Sequence, residues 1–178
     1  KLVGREDADK LWALAEDTKA LVKSLVAKHK IECHLKPGIA HMGFHKSEVA
    51  EEHAYADFLA ERYGYAHVEK LDFDAAQAIC PSPKYIGGTL DRTAGHLHPL
   101  AYAFGLARAA AAAGAVIHEE TEVLDIDDGA PATIRTAKGT VTAEHVILAC
   151  NGYLGGLNGH VAARVMPINN FIAATEPL

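Results

Sequence analysis

"AVIHEETEVLDIDDGAPATIRTAKGTVTAEHVILACNG", residues 115–152, holds two apolar runs with three polar, alternating pieces between them. The first run, "AVIHE", reads as a strand that directly follows a helix. The last, "VILA" (Val146 to Ala149), stops at Cys150, Asn151 and Gly152. Between them, "TEVLDIDD", "ATIRTA" and "TVTAE" are separated by Asp128-Gly129 and Lys138-Gly139, and Lys138-Gly139 predicts a tight hairpin. Short, unbroken apolar runs bounded by turn residues belong to parallel strands covered on both faces, whereas alternating pieces belong to an antiparallel sheet with one wet side. The stretch therefore predicts a buried strand, a three-stranded meander and a second buried strand. A parallel sheet crossed by a meander instead of a helix is uncommon, and it places the chain in the α/β class.

Working outward, His98 and Pro99 open the preceding helix, since proline at the first helical position loses no hydrogen bond. The helix runs to about Ala113 and stops at Gly114. Its sequence, "LAYAFGLARAAAAAG", carries few large side chains, so its backbone can lie close to a sheet. Upstream, Leu11, Leu14, Leu21, Leu25 and Val26 recur at helical spacing between about Arg5 and Lys30. "IECHLKPGIAHMG" reads as two extended pieces around a Pro37-Gly38 turn. A helix is expected from Ser47, as N-cap, to Tyr63 with Gly64 just past its end. A shorter one in "DFDAAQAIC" opens at Asp72 or Asp74, and "KYIGGTLDRTAGHLHP" predicts two strands joined by a turn near Asp91-Arg92. A further strand is expected from Val165 onward.

The 178 residues are 49% hydrophobic and 22% charged, the balance of an ordinary globular protein. A formal net charge of −6 offers no basic face for a phosphate backbone, so nucleic-acid binding is not expected. No apolar run approaches the roughly 20 residues of a bilayer span, and "KLVGREDADK" does not have the pattern of a signal peptide. The expected location is the cytoplasm, without membrane contact. Three cysteines, Cys33, Cys80 and Cys150, stand far apart with no CxxC pair, which argues against a disulfide framework or a zinc knuckle.

"GHLHPLAYAFGLARAAAAAGAVIHEETEV", "IRTAKGTVTAEHVILACNGYLGGL" and "RVMPINNFIAATEPL" resemble the middle of the D-amino-acid-oxidase-type FAD-dependent oxidoreductases. Within that group the likeness is greatest to the gamma-glutamylputrescine oxidases. The resemblance covers the chain from about Leu11 onward and is most specific between Gly95 and Leu178. It implies part of a Rossmann-type FAD-binding domain with a β-meander crossover, plus part of an antiparallel-sheet substrate domain. Residues 1–31 and 97–160 are assigned to the first, and 32–96 and 161–178 to the second. Members of the family place the FAD pyrophosphate on a G-x-G-x-x-G turn at a helix N-terminus, and no such motif occurs here. The chain is therefore expected to be an internal piece of a longer enzyme, lacking the N-terminal glycine motif and the C-terminal part, and to be inactive by itself.

The candidate sites follow. In open α/β sheets, ligands bind beyond the carboxyl ends of the parallel strands, where Asn151 and Gly152 are expected, and glycine permits close backbone approach. The resemblance implies that Ala149, Cys150, Asn151 and Gly152 pass beside FAD; the plain alternative is a loop after a strand. It also implies that the backbone N–H and C=O of Val123 pair with the adenine edge, against the alternative of an ordinary sheet valine. Tyr85 and His96 are candidates to line a substrate pocket, with His96 a possible hydrogen-bond partner or base; the alternative is two solvated side chains on a turn-rich hairpin. Eleven histidines include the spacings His96-x-His98 and His41-x-x-x-His45. No cysteine or second acidic cluster completes a ligand set, and His98 is better read as a helix cap. No metal is assigned.

The activity implied by the resemblance is oxidation of an amine C–N bond to an imine. FAD takes the hydride, oxygen reoxidises it, and gamma-glutamylputrescine or a related polyamine derivative is the substrate. A negative net charge suits a cationic amine. The cofactor carries the redox chemistry, so the absence of any nucleophile or triad signature is no obstacle. Two other readings stay open: an FAD enzyme acting on glycine, sarcosine or proline, and a non-catalytic, histidine-rich metal-binding domain.

Overall fold

The computed structural model describes residues 4–172. By their internal contacts the residues form two compact units, 1–116 and 117–178.

The first unit opens with α1 (Arg5–Lys28), followed by β1 (Lys36–Gly43) and α2 (Lys46–Tyr63). β2 (Val68–Leu71), α3 (Phe73–Ile79), β3 (Gly87–His96) and α4 (Pro99–Ala112) complete it. The three strands make an antiparallel sheet in the order β1-β3-β2. Two sequence expectations are corrected here. Pro37-Gly38 is no turn between strands: it lies within β1 where the register with β3 shifts between Pro37 and Ile39, and Gly38 takes a φ of 94°. That conformation suits glycine and makes a bulge. Likewise, Asp91-Arg92 does not end a strand. The Asp91 carboxylate accepts hydrogen bonds from the N–H groups of Thr93 (2.8 Å) and Ala94 (3.0 Å), bending β3 without breaking it.

The ends of the helices follow the expected chemistry with one change. Asp72 caps α3 by accepting from the Ala75 N–H at 2.9 Å, and Gly64 closes α2 with a φ of 64°. The N-cap of α2 lies two residues early, at His45 and not Ser47. Glu48 reaches back to the N–H groups of Phe44 (2.8 Å) and His45 (3.1 Å), so this carboxylate decides where the helix begins. His98 caps α4 as read, its Nδ1 accepting from the Ala101 N–H at 3.3 Å. The unit's core is Ile31, Cys33, Ala56, Leu59, Leu71 and Ala76, with Tyr65 and Thr89 as its polar members. Gly88 lets β1 and β3 meet closely, since a Cβ there would fall 2.0 Å from the His41 carbonyl oxygen.

The second unit contains the meander: β4 (Val123–Asp127), β5 (Ala132–Thr136) and β6 (Gly139–Ala143), antiparallel in that order. Its second hairpin is tight, as expected, with the loop one residue earlier than Lys138-Gly139. Thr136 pairs with Gly139, leaving Ala137 and Lys138 as the loop, and the Thr136 hydroxyl accepts from the N–H groups of Lys138 and Gly139, both at 3.1 Å. One turn of 3-10 helix at Asn151–Tyr153 and the short α5 (Gly159–Ala162) follow.

Two expected strands do not form, and a third is absent over its described residues. "AVIHE" and Val146–Ala149 lie in no sheet, and Val116 (78% exposed) and Ile147 (88%) face solvent. A buried parallel strand needs neighbours on both edges and cover on both faces, and no other strand lies beside these two among the described residues. Residues 165–172 carry no strand either, and the rest of that expectation, 173–178, lies outside the described residues. No helix is long and apolar enough to cross a membrane among the described residues.

Candidate functional site

The candidate residues of the second unit fall in two places. Val123 begins β4, opposite Thr136, and a register shift follows it. Because β4 is an outer strand of the meander, alternate backbone N–H and C=O groups along it have no ladder partner on that side among the described residues. This is the kind of edge that pairing with a flat heterocycle requires.

The other place is the turn after Ala149. Cys150 precedes the 3-10 turn and Asn151 stands in the left-handed region with a φ of 51°, a conformation asparagine tolerates better than most residues. Asn151, Gly152 and Tyr153 form one wall of a cleft of about 420 Å³, and the segment Val165 to Asn170 forms the other. Ala149 and Cys150 are not among its lining residues. Nothing among the described residues demands glycine at 152, where a Cβ would meet Pro167 at 3.8 Å. Among the described residues the cleft contains amide side chains and apolar groups but no lysine or arginine. Its chemistry fits an uncharged, hydrogen-bonding ring system and does not fit a diphosphate. The residues present thus suit the ring portions of FAD.

In the first unit, Tyr85 packs its ring on Phe44, centroids 5.0 Å apart. His96 ends β3, its Nδ1 3.3 Å from the Gly38 carbonyl oxygen. Ten residues, nine of them in β3, separate them, on the order of 30 Å at strand rise, so the structure does not bring these two together. His98 is engaged at its helix end, and no group of three or more His, Cys, Asp or Glu side chains gathers to hold a metal among the described residues.

Sequence reasoning missed the most connected polar group of the chain. The Tyr65 hydroxyl, on a residue only 8% exposed, donates to Asp91 at 2.7 Å and accepts from Lys19 Nζ at 2.8 Å. Thr93 Oγ1 lies 2.5 Å away. Lys23 Nζ donates to the Thr93 carbonyl at 2.6 Å, and Lys19 also pairs with Glu16 at 2.8 Å. Trp12 stacks on Tyr63 at 4.4 Å and meets Tyr65 edge-on at 5.2 Å, while Arg62 holds the Asp9 carboxylate at 2.5 and 2.6 Å. α1 is thereby fastened to the end of α2 and to the bend in β3. Burial works to raise the Asp91 pKa, but hydrogen bonds from Tyr65, Ala94 and Thr93 outweigh it and hold the carboxyl below its ordinary value. For Lys19, burial works to lower the pKa, and Glu16 and Tyr65 together raise it above the ordinary value. No local motif announces this cluster, because its members lie up to 74 residues apart in sequence.

Comparison with known proteins bears on both units. Residues 2–178 match the family described as FAD dependent oxidoreductase. Across its whole length the chain is 37% identical to a probable oxidoreductase OrdL of Rhizobium meliloti (strain 1021), covering 42% of that protein. It is 33% identical to the gamma-glutamylputrescine oxidoreductase of Escherichia coli (strain K12), again covering 42%. Among solved structures, 85% of the chain superposes on 44% of the glycine oxidase from Bacillus cereus ATCC 14579, with a TM-score of 0.71 and 25% identity. For the glycine oxidase from Geobacillus kaustophilus, 81% of the chain superposes on 40% of the structure, with a TM-score of 0.68 and 27% identity. The chain thus spans well under half the length of the relatives it matches.

Proposed function

The chain belongs to the FAD-dependent oxidoreductase family, and from that premise we propose that it is the middle part of an enzyme oxidising the C–N bond of an amine. Gamma-glutamylputrescine or a related polyamine derivative is the proposed substrate, and the cytoplasm the proposed location. The observation that carries this reading is the 33% identity, sustained over the whole chain, to a protein named for that substrate. The net charge of −6 agrees with a cationic amine.

Bound FAD would supply hydride acceptance, so that the amine carbon would be oxidised to an imine that water hydrolyses, with oxygen the proposed final acceptor. The chain's own part is to hold and orient. In this proposal the Val123 backbone pairs with the adenine edge, and the turn from Ala149 to Gly152 lies beside the cofactor, with Asn151, in its left-handed conformation, on the wall of the cleft. Residues 1–31 and 97–160 serve the cofactor part, and 32–96 and 161–178 the substrate part, with the β1-β3-β2 sheet as its framework. Tyr85 and His96 remain proposed substrate-lining residues, each at its own end of β3.

A second reading, oxidation of a simple amino acid such as glycine, is favoured by the superposition on two glycine oxidases. The full-length protein separates the two. Its absorption spectrum should be that of a flavoprotein, and peroxide formation should give kcat/KM for gamma-glutamylputrescine at least tenfold above glycine, sarcosine and proline. Turnover of the amino acids alone would sink the polyamine reading. A colourless, cofactor-free protein would remove both.

A further inference from the structure

A feature of the first unit has no part in the proposed amine chemistry. Lys46, Val49, Ala50 and His53 on α2, Phe73 at the start of α3 and Ile86 just before β3 line an open cleft of about 450 Å³. Beside it, Phe44, His45, Pro83 and Lys84 line a second of about 530 Å³, and Ile86 is common to both. Together they form one trench across the first turns of α2. Its floor is apolar, and two of its rings are held out toward solvent: Phe44 and Phe73 are each 49% exposed. Phe44 is braced by Tyr85 at 5.0 Å, so the exposed ring has a fixed place.

The charges along the trench are of one sign. Lys46 and Lys84 stand on its two halves, and no aspartate or glutamate is among the lining residues. Neither lysine takes part in an ion pair among the described residues. In a chain of net charge −6 this is a local reversal. Acids adjoin the lining residues in sequence without lining the trench, and three of them are engaged elsewhere: Glu48 with the N–H groups of Phe44 and His45, Glu52 with the Thr89 hydroxyl, and Asp72 with the Ala75 N–H. His53 is held too, its Nε2 2.9 Å from the Gly88 carbonyl oxygen, so that nitrogen donates and the ring is oriented. An apolar floor of ligand-sized volume with unpaired ammonium groups on its rim complements a molecule with an apolar body and a single anionic end.

We propose that this trench binds a small amphipathic monocarboxylate, its chain on Val49, Phe73 and Ile86 and its carboxylate beside Lys46 or Lys84. Area burial on the floor supplies most of the affinity, since an ion pair at an exposed rim adds only a few-fold. The rim decides which end group is accepted.

The test uses the full-length flavoprotein and a short series of probes, octanoate, hexanoate, octanol and octylamine, followed by titration calorimetry. Octanoate should saturate and bind about fifteenfold more tightly than hexanoate, from about fourfold per buried methylene. Octanol should bind a few-fold more weakly than octanoate, and octylamine most weakly of all. Lys46→Gln with Lys84→Gln should bring octanoate down to the level of octanol and remove its salt dependence. Phe73→Ala should weaken all probes at least tenfold. Both lysines lie on the surface, so the first variant reports binding without disturbing the fold. A diazirine analogue of octanoate should label Phe44 to Ala50, Phe73 or Pro83 to Ile86. The proposal is overturned by absent saturation, by octylamine binding as well as octanoate, or by labelling elsewhere. Absent saturation is also the result expected if another segment of the full-length protein covers the trench.

Discussion

Replacing Tyr65 by phenylalanine removes one oxygen atom from the centre of the polar cluster and nothing else. The ring keeps its edge contacts with Trp12 at 5.2 Å and His67 at 5.1 Å, so the packing term is nearly constant and the change isolates the hydroxyl. Lost with it are the bond donated to Asp91 and the bond accepted from Lys19. Hydrogen bonds to charged groups contribute about 1.5–3 kcal/mol each, but a partner that can reach water recovers part of the loss. Lys19 is about a quarter exposed, and Asp91 retains its bonds from Thr93 and Ala94. The two effects together give a cost of about 2 kcal/mol. The cost is local to the bend in β3 and the middle of α1, and amide hydrogen exchange in the full-length protein reads it directly. Exchange at Thr93, Ala94 and Lys19 to Lys23 should quicken about thirtyfold, every 1.4 kcal/mol being tenfold. Amides of β5, Ala132–Thr136, serve as the unaffected reference. Exchange within twofold of the parent at Thr93 and Ala94 would refute the reasoning and make the cluster a passive surface arrangement.

Four further outcomes follow from particular contacts. Because the Asp91 pKa is depressed on folding, its contribution to stability is full above the ordinary carboxyl pKa and disappears as pH falls through the folded value; Asp91→Asn should flatten the acid limb of a thermal-stability profile. The raised Lys19 pKa works at the other end, its contribution present below the ordinary lysine pKa and lost as pH rises through the folded value, so Lys19→Met should flatten the alkaline limb. Gly105→Ala should lower Tm by several degrees, since the new Cβ would lie 2.2 Å from Cγ2 of Ile31, which is 5% exposed and cannot swing aside; adding Ile31→Ala should recover much of the loss, and an unchanged Tm in the single variant would show that α4 stands further off than described. Asn151→Gly should keep the flavin content of the full-length protein while Asn151→Val lowers it, because a β-branched residue strains a φ of 51°; equal flavin content in both would argue against the turn lying beside the cofactor.

Local signals in the sequence read the helices and the meander well. Asp72, Gly64, Pro99 and His98 act within three or four residues, and the hairpin at Thr136 to Gly139 closes on its own side-chain bonds. α2 shows the limit of that reading: Ser47 looked the better cap, yet Glu48 reached two N–H groups further back. In the first unit, Pro37-Gly38 and Asp91-Arg92 have the composition of turns. Strand pairing across 50 or more residues turned both into bends within continuous strands, because the ladder on either side outweighed a local preference. The candidate site divides in the same manner. Asn151-Gly152 stood out as a turn, but Asn169 and Asn170, which face it across the cleft, fell in a segment expected to be a strand.

The chain's punctuation thus marked most helix ends and its alternation the strands of the meander, while the family was legible in the resemblance of whole stretches and not in any pattern of spacing. Tertiary structure decided the β1-β3-β2 pairing, the Lys19–Tyr65–Asp91–Thr93 cluster and the apolar trench beside Lys46. Val146 to Ala149 marks the boundary between the two. Its composition announces a buried strand, but a buried strand is made by the neighbours that cover it, and the described residues provide none. Hydrophobic pattern is a property of a segment, whereas burial and hydrogen-bond pairing are properties of what lies next to it.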